Sequence, residues 1–555
     1  MDYTILDKYY HSKMNFIAGV CNKLGVTSTM NHYLTSSNGR KPDISYGTLA
    51  EMMIVNLCDS YKPLYIMNEY FEEKDLATIF NSDISLDQIN DDRFGAFLDK
   101  LHAAGPRKIF SQISAQAFAT YGLTVKNVNF DTTSKVMWGE YETEEGKVGA
   151  VNITFGHSKD KREDKKQIKM AIGTANGVIV DAKVLSGNID DKTYNYDNLN
   201  DIDELLQRTH TDKRSFYYIG DSALFTENNL IRAREKGIKI ITRVPDKTLI
   251  SKQLICEALD KKQLTNEVSI ENAHKELVYY KVSEYIGDYK GIDCKFAVCY
   301  SHSLEGTKNR SILKQVSKEA EDLKKYMKPY VKRVFLCEAD AQKEVEKIIK
   351  EKGKKLKFHT LSCNFAKQEK KKVGRPSIRE SEKAYNYNIE FELVVEEEKI
   401  NKSIEEACTF VLMSTDLEIS AEDILSEYKT QSSVEKKFQQ LKSPGFINSL
   451  FVKTPERVEA LTYMMLITMM ILSVIEHVVR RELKKEEAIV IGPGKIKMKR
   501  PTLKAIVDIF YNIAVFAIKD KQGVKRVLKK PLNESQSKIM RYLGLDESIF
   551  TGTVL

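Results

Sequence analysis

Near residue 120 the apolar residues of this 555-residue chain change their period, and that change limits what the chain can fold into. Before it, Leu49, Met52, Met53, Val55 and Leu57, and then Phe94, Phe97, Leu98 and Leu101, recur at the spacing of one helical face. Ser85 and Asp87 open the second of these runs as caps. After it, Val128 and Phe130 alternate with polar neighbours up to Asp131, and Val151, Ile153 and Phe155 do the same. A third run, 178–180, follows the turn pair Asn176-Gly177. The pattern predicts three strands in a meander, then a helix over 202–208 and a strand over 216–219 closing on Gly220-Asp221. A helix ended by Gly237 and a strand over 238–244, stopped by Pro245, complete the series. That order is mixed α/β.

From about 246 to 405 the regularity breaks. Strand-like stretches at 277–282 and 296–300 mix with Lys/Glu-rich helices at 312–327 and 341–350, and Lys370 to Pro376 reads as a basic loop. A strand over 410–413 and a single helix over 421–441 follow, and beyond Pro455 the spacing predicts helix to near the end. A chain of this length exceeds one compact core. The boundaries expected are 1–120 (helical), 121–245, 246–405 (an insertion), 406–450 and 451–555 (helical).

Hydrophobic residues at 42% and charged residues at 30% exclude a disordered chain. The net charge of +8 arises from 86 Lys+Arg against 78 Asp+Glu, a mild excess that only hints at a polyanionic partner. Eight scattered cysteines form no CxxC pair, which suits free thiols in a reducing compartment better than a zinc site. No basic region followed by an apolar core opens the sequence, so a cytoplasmic protein is expected. The apolar stretch 460–475 is shorter than the ~20 residues a bilayer requires, and Thr462, Thr468 and Ser473 interrupt it. It reads as a helix buried on all sides, with no membrane partner.

Two aspartates stand at the ends of apolar runs, Asp131 after Val-Asn-Phe and Asp221 after Tyr-Ile-Gly. In open α/β sheets the chain leaves the sheet at the carboxyl ends of strands and frees side chains there. Paired carboxylates repel unless a cation lies between them, and hard oxygen donors with open positions suit Mg²⁺ or Mn²⁺. Each aspartate alone also fits an ordinary turn former. From Tyr428 the steps to Gln431, Glu435 and Lys442 are 3, 4 and 7 residues, so at ~100° per residue the four share one helical face. The same segment also fits a plain amphipathic helix with Val434, Phe438 and Leu441 as its apolar side.

Taken together these residues resemble the insertion-sequence DDE transposases of the cut-and-paste type whose third motif is Tyr-x2-Arg-x3-Glu-x6-Lys. Here that motif is Tyr428, Gln431, Glu435 and Lys442, with Gln in the Arg position. Asp131-Thr132-Thr133 resembles the first Asp motif and Ile219-Gly220-Asp221-Ser222-Ala223 the second. The stretch from Phe155 to Asp160 with Asp164 and Gln167, the residues Ser186-Gly187-Asn188 with Asp191-Lys192, and the run from Phe451 to Ala460 continue the likeness. It covers nearly the whole chain.

The resemblance implies an RNase H-like catalytic core, here 121–245 and 406–450, interrupted by the β-containing insertion 246–405. It implies that Asp131, Asp221 and Glu435 are catalytic and hold Mg²⁺, with Mn²⁺ as substitute. It places Tyr428, Gln431 and Lys442 on DNA phosphate and 1–120 in an accessory domain that helps bind the element's ends. Gln431 lacks the forked, charged contact of Arg. The implied partners are double-stranded DNA, as terminal inverted repeats and target, and a second copy of the chain, since two ends must be held for coupled cutting. On DNA the protein is expected with the nucleoid.

Three further residues have two readings each. Arg375, in Gly374-Arg375-Pro376, fits a DNA minor groove or a solvated loop. Trp138 fits a stacking partner for a base or a core contact, and His157 fits a phosphate ligand or a solvated ring. Two rival functions stay open: an RNase H-like nuclease without strand transfer, and a non-catalytic relative that only occupies element ends.

Overall fold

The computed structural model describes residues 4–10, 13–34, 42–139, 141, 150–271, 276–370, 385–442, 452–521 and 523–552. Two compact units emerge, one formed by residues 1–242 with 427–555 and the other by 243–426.

In the first unit, strand β1 (Thr4–Tyr10) precedes a run of helices up to Pro106–Thr120. Then come β2 (Asn127–Val136), β3 (Gln167–Ala175), β4 (Val178–Ser186), β5 (Tyr217–Gly220) and β6 (Lys239–Arg243). In the sheet these lie in the order β4-β3-β2-β5-β6. Strand β3 is antiparallel to both β2 and β4, whereas β5 runs parallel to β2 and to β6. The parallel connections are made by helices, among them Asp191–Asn200 and Glu227–Lys236. The latter ends at Gly237 with φ 62°, the left-handed cap its sequence predicts. Every residue of β3 is buried, so this strand is covered on both faces.

The helix Pro455–Lys485 supplies much of that cover, packing against β4 and against the helices Asp91–Ala103 and Pro106–Thr120. It is long and apolar enough to cross a membrane, yet 94% of its most apolar window is buried inside the protein. Its polar residues serve the packing. The Ser473 and Tyr463 hydroxyls accept from the backbone N–H of Ile179 and Val184 on β4, and Thr462 and Thr468 donate to carbonyls one turn back. All eight cysteines are free.

In the second unit β7 (Asn266–Glu271), β8 (Leu277–Asp288), β9 (Asp293–Ser301) and β13 (Thr409–Ser414) form consecutive antiparallel pairs. A separate small sheet, β10 (Val334–Phe335), β12 (Tyr385–Val395) and β11 (His359–Glu369), packs Ile389 and Leu361 on Met327 and Ile348 of two helices.

Four local expectations are corrected. The stretch 151–155 is not a strand; it touches the sheet only through one bridge, Thr154 to Gln167, and β2 to β4 make the meander without it. Asp131 does not end its strand, because β2 continues to Val136 along β3. The helix expected over 421–441 is two, Ala421–Lys429 and Ser432–Leu441. Between them Thr430, Gln431, Ser433 and Val434 each donate to a carbonyl three residues back, so the backbone tightens and the face that carries Tyr428 to Lys442 is not one continuous helix. The region beyond 485 is not all helical either: strands Ala514–Asp520 and Gly523–Leu528 form a hairpin, and β1 pairs antiparallel with the first. There the strand alternation is short and mixed with lysines, and the pairing of β1 depends on residues more than 500 positions away.

Candidate active site

Phe130 and Gly220 are register partners on the parallel strands β2 and β5. Asp131 and Asp221 are the next residue on each, so the two carboxylates leave neighbouring strands about 4.8 Å apart at the level where their pairing stops. The Asp221 side chain accepts from the Ala223 N–H at 3.0 Å, and its carbonyl accepts from the Thr242 hydroxyl at 2.6 Å. Asp131 accepts from the Thr132 N–H at 2.7 Å.

A third carboxylate joins from the helix after β4. Asp191, in the first turn of Asp191–Asn200, accepts from the Thr132 hydroxyl at 2.5 Å and lies 3.5 Å from the Lys169 ammonium. Among these acids stands Lys159. Its Nζ lies 3.0 Å from Asp131 Oδ1, 3.3 Å from Asp191 Oδ2 and 2.6 Å from the Thr132 carbonyl oxygen.

The loop that brings Lys159 there is tied down. Gln167 Nε2 donates to the carbonyls of His157 and Gly187, and the Lys159 N–H donates to Ser134 Oγ at 2.8 Å. Gly156 has no room for a side chain, since a Cβ would run into the Gly187 carbonyl. Neither Lys159 nor Asp191 receives a role from the sequence pattern alone. The available signals are the pair of glycines, Gly156 and Gly187, and the N-terminal helix position of Asp191, which becomes informative only once the helix is placed on the sheet.

Burial pushes the Asp131 carboxyl above its ordinary range, with Lys159 acting in the opposite direction. Burial, and then the neighbouring Asp131 charge, raise Asp221 as well. For Asp191 burial acts upward, but the Lys159 ammonium and the Thr132 hydroxyl outweigh it and the carboxyl sits below its usual range. Burial disfavours the Lys159 ammonium, yet Asp131 and Asp191 outweigh it and hold the proton more firmly than usual. The cluster thus sets the ammoniums of Lys159 and Lys169 among carboxylates largely withdrawn from water.

The helix Ser432–Leu441 lies alongside β2 and β3. Thr430 pairs with Asn129 at 2.9 Å, Ser433 with Thr174 at 2.9 Å, Lys437 with Glu476 at 3.2 Å and Lys442 with Asp160 at 2.5 Å. Thr174 is the register partner of Asn129. The Glu435 side chain is exposed. Among the described residues, no three acidic, histidine or cysteine side chains are drawn close enough to hold one ion. The structure therefore brings Asp131 and Asp221 together, and leaves Glu435 outside their cluster.

The remaining site residues are distributed as follows. Tyr428 is half-buried in the last turn of the helix Ala421–Lys429. Gln431 is 8% exposed, so its amide faces protein rather than solvent. Lys442 caps its helix and is engaged by Asp160. Arg375 lies outside the described residues. Trp138 is no core residue: it is 69% exposed, with the Arg162 guanidinium 5.4 Å and the Lys165 ammonium 5.0 Å from its ring. His157 is exposed, 3.4 Å from Glu163.

Residues 140–471 match the family described as the transposase DDE domain, and residues 10–115 match a domain of unknown function, DUF4277. The chain belongs to the transposase DDE domain family, and with it to the DNA transposases. Asp221 and Glu435 fall within the matched span and Asp131 lies nine residues before it. No curated protein matches the sequence. Among solved structures, the cryo-EM structure of the piggyBac transposase synaptic complex with hairpin DNA is 9% identical over 89% of this chain and 79% of that one, with a TM-score of 0.37. A superposition that loose equates neither fold nor activity.

Proposed function

We propose that this transposase cleaves the ends of an insertion sequence and joins them to target DNA by phosphoryl transfer at Asp131, Asp221 and Glu435, as a homodimer on DNA. The observation that carries the reading is the placement of Asp131 and Asp221 side by side on neighbouring parallel strands. The strand order β4-β3-β2-β5-β6, two antiparallel pairings followed by two parallel ones, supports an RNase H-like core around them. The helix Ser432–Leu441, which Thr430 and Ser433 fix along β2 and β3 at the level of Asn129 and Thr174, carries Glu435, the proposed third acid.

Clustered carboxylate oxygens suit a small hard cation, and Mg²⁺, with Mn²⁺ as substitute, is the fitting choice. Asp131, Asp221 and Glu435 would hold such ions, whose chemistry would be to activate a water and stabilise the leaving oxygen. The protein's own part is to hold the three carboxylates, to bring the phosphate up to Lys442 and Tyr428, and to keep the cut end in line for the second attack. The tyrosine-to-lysine motif supports the Tyr-x2-Arg-x3-Glu-x6-Lys type, with Gln431 as its departure. The segment 1–120 is read as the accessory, end-binding part and 246–405 as the insertion, and the protein as cytoplasmic and nucleoid-bound on DNA.

The experiment is Mg²⁺-dependent cleavage of a labelled duplex carrying the element's end, followed by joining of a pre-cut end to a target plasmid. Asp131→Asn, Asp221→Asn and Glu435→Gln should each abolish both steps while the protein still binds the end. Double substitutions should be hardly worse than single ones, because the three act as one unit. Cleavage without joining would make the protein a nuclease, and vigorous cutting by Glu435→Gln would overturn the site.

A further inference from the structure

We infer that Lys159 is a built-in counter-ion: in the metal-free protein its ammonium occupies the place of a divalent cation between the catalytic carboxylate Asp131 and its neighbour Asp191, and it must swing out before the cation enters. The inference rests on the site proposed above and concerns how that site is loaded.

An ammonium has three N–H donors and no acceptor. Three oxygens surround the Lys159 ammonium: Asp131 Oδ1 at 3.0 Å and the Thr132 carbonyl at 2.6 Å accept hydrogen bonds, and Asp191 Oδ2 at 3.3 Å is an ion-pair partner. A backbone carbonyl and two carboxylates are the donor set that a hard cation takes, and here a side chain takes it. The spacing fits the occupant. Oxygens stand back about 3 Å from an ammonium nitrogen, whereas Mg²⁺ requires them at about 2.1 Å. Replacement therefore demands that the cluster contract by roughly 1 Å.

The lysine's position is built rather than incidental. Gln167 and the Gly156–Gly187 contact hold its loop, and Ser134 fixes its own N–H. Asp191 lies 3.3 Å from the ammonium and is itself held by Thr132 and Lys169. A free flexible lysine would remain in water; this one has 30% of its side chain exposed. The consequence is competition. Metal affinity is reduced by the fraction of molecules in which the lysine has left, so if that fraction is about 10% or less, removing the lysine raises the apparent affinity about tenfold or more.

The test measures Mn²⁺ binding to the full-length protein without DNA, by electron paramagnetic resonance, for wild type and for Lys159→Met, which keeps the length and removes the charge. Lys159→Met should bind at least about tenfold more tightly. Equal or weaker binding by a variant with the wild-type circular dichroism spectrum overturns the inference. A second measurement needs no variant. Acylation of Lys159 by an amine-reactive ester, read by peptide mass spectrometry, should be slow in wild type and should rise when Mn²⁺ saturates the protein. Protection that persists at saturation overturns it, even where Lys159→Met fails to fold. The site reading fails separately: Mn²⁺ binding that survives unchanged in the Asp131→Asn, Asp221→Asn double variant locates the ion elsewhere.

Discussion

Lys442 Nζ lies 2.5 Å from Asp160 Oδ1, so the lysine proposed to grip DNA phosphate is held by a carboxylate in the free protein. Asp160 follows Lys159 in sequence, and the two lysines are thereby held by acids of one neighbourhood: Lys159 by Asp131 and Asp191, Lys442 by Asp160. A phosphate arriving at Lys442 would exchange one anion for another.

Lys442→Ala should lower the rate of end cleavage roughly 100-fold, the order expected when a reacting phosphate is misplaced by about 1 Å. The fold should persist, because the pair is partly exposed and such pairs contribute ~1 kcal/mol or less. Asp160→Asn leaves Lys442 unengaged and should tighten binding of the element's end in a low-salt titration. Wild-type cleavage by Lys442→Ala would remove this lysine from the site.

Gln431→Arg should not restore the family's Arg contact. Gln431 is 8% exposed at the tightened junction of two helices, so an arginine there buries a charge or distorts the junction. A loss of about 2 kcal/mol in denaturant unfolding is expected, within the usual range for such changes, with end binding unchanged or weaker. Tighter binding at undiminished stability would mean that the junction opens outward on DNA.

Glu427→Gln is the control for Glu435→Gln. Glu427 accepts a hydrogen bond from Asn127 and lies 3.8 Å from Lys126, both at the start of β2 and away from Asp131. Glutamine keeps an acceptor for Asn127, so cleavage should stay within about twofold of wild type and stability within ~1 kcal/mol. Loss of Mg²⁺-dependent cutting in Glu427→Gln alone would transfer the catalytic role to it.

Glu51 makes stability depend on pH. It is 1% exposed, its Oε1 has no hydrogen-bond partner, and burial raises its carboxyl to about 7. An acid raised in the folded state contributes stability that is full below its unfolded value and is lost as pH rises through the folded one. The wild-type melting temperature should therefore fall between pH 5 and pH 8 more steeply than that of Glu51→Gln. At pH 8 the variant should be the more stable by about 3 kcal/mol. Parallel curves would show that Glu51 titrates normally.

The sequence made the sheet and its two aspartates legible because the relevant signals are local. Val128 and Phe130 alternate into Asp131, the run before Gly220-Asp221 is apolar, and Gly237 stops its helix. What escaped depends on contacts between distant segments. The break after Lys429 leaves the apolar spacing of Val434, Phe438 and Leu441 intact, so periodicity alone does not reveal it. The stretch 151–155 alternates like a strand, yet β3 already pairs with β2 and β4 on its two sides and leaves it only a single bridge. Lys159 and Asp191 meet across 32 positions through a loop held by Gln167 and a helix seated on the sheet, and neither residue's neighbours in sequence foretell it.

The pairing of β1 with the strand Ala514–Asp520 sets a timetable for the molecule's birth. Thr4 faces Lys519, a partner that the ribosome adds 515 residues later. At ~5–20 residues per second the first strand waits for roughly half a minute to nearly two minutes with its hydrogen-bonding edge open. Through that interval the nascent chain carries a ready template for pairing with other chains. Only after the final hairpin leaves the exit tunnel does the edge close.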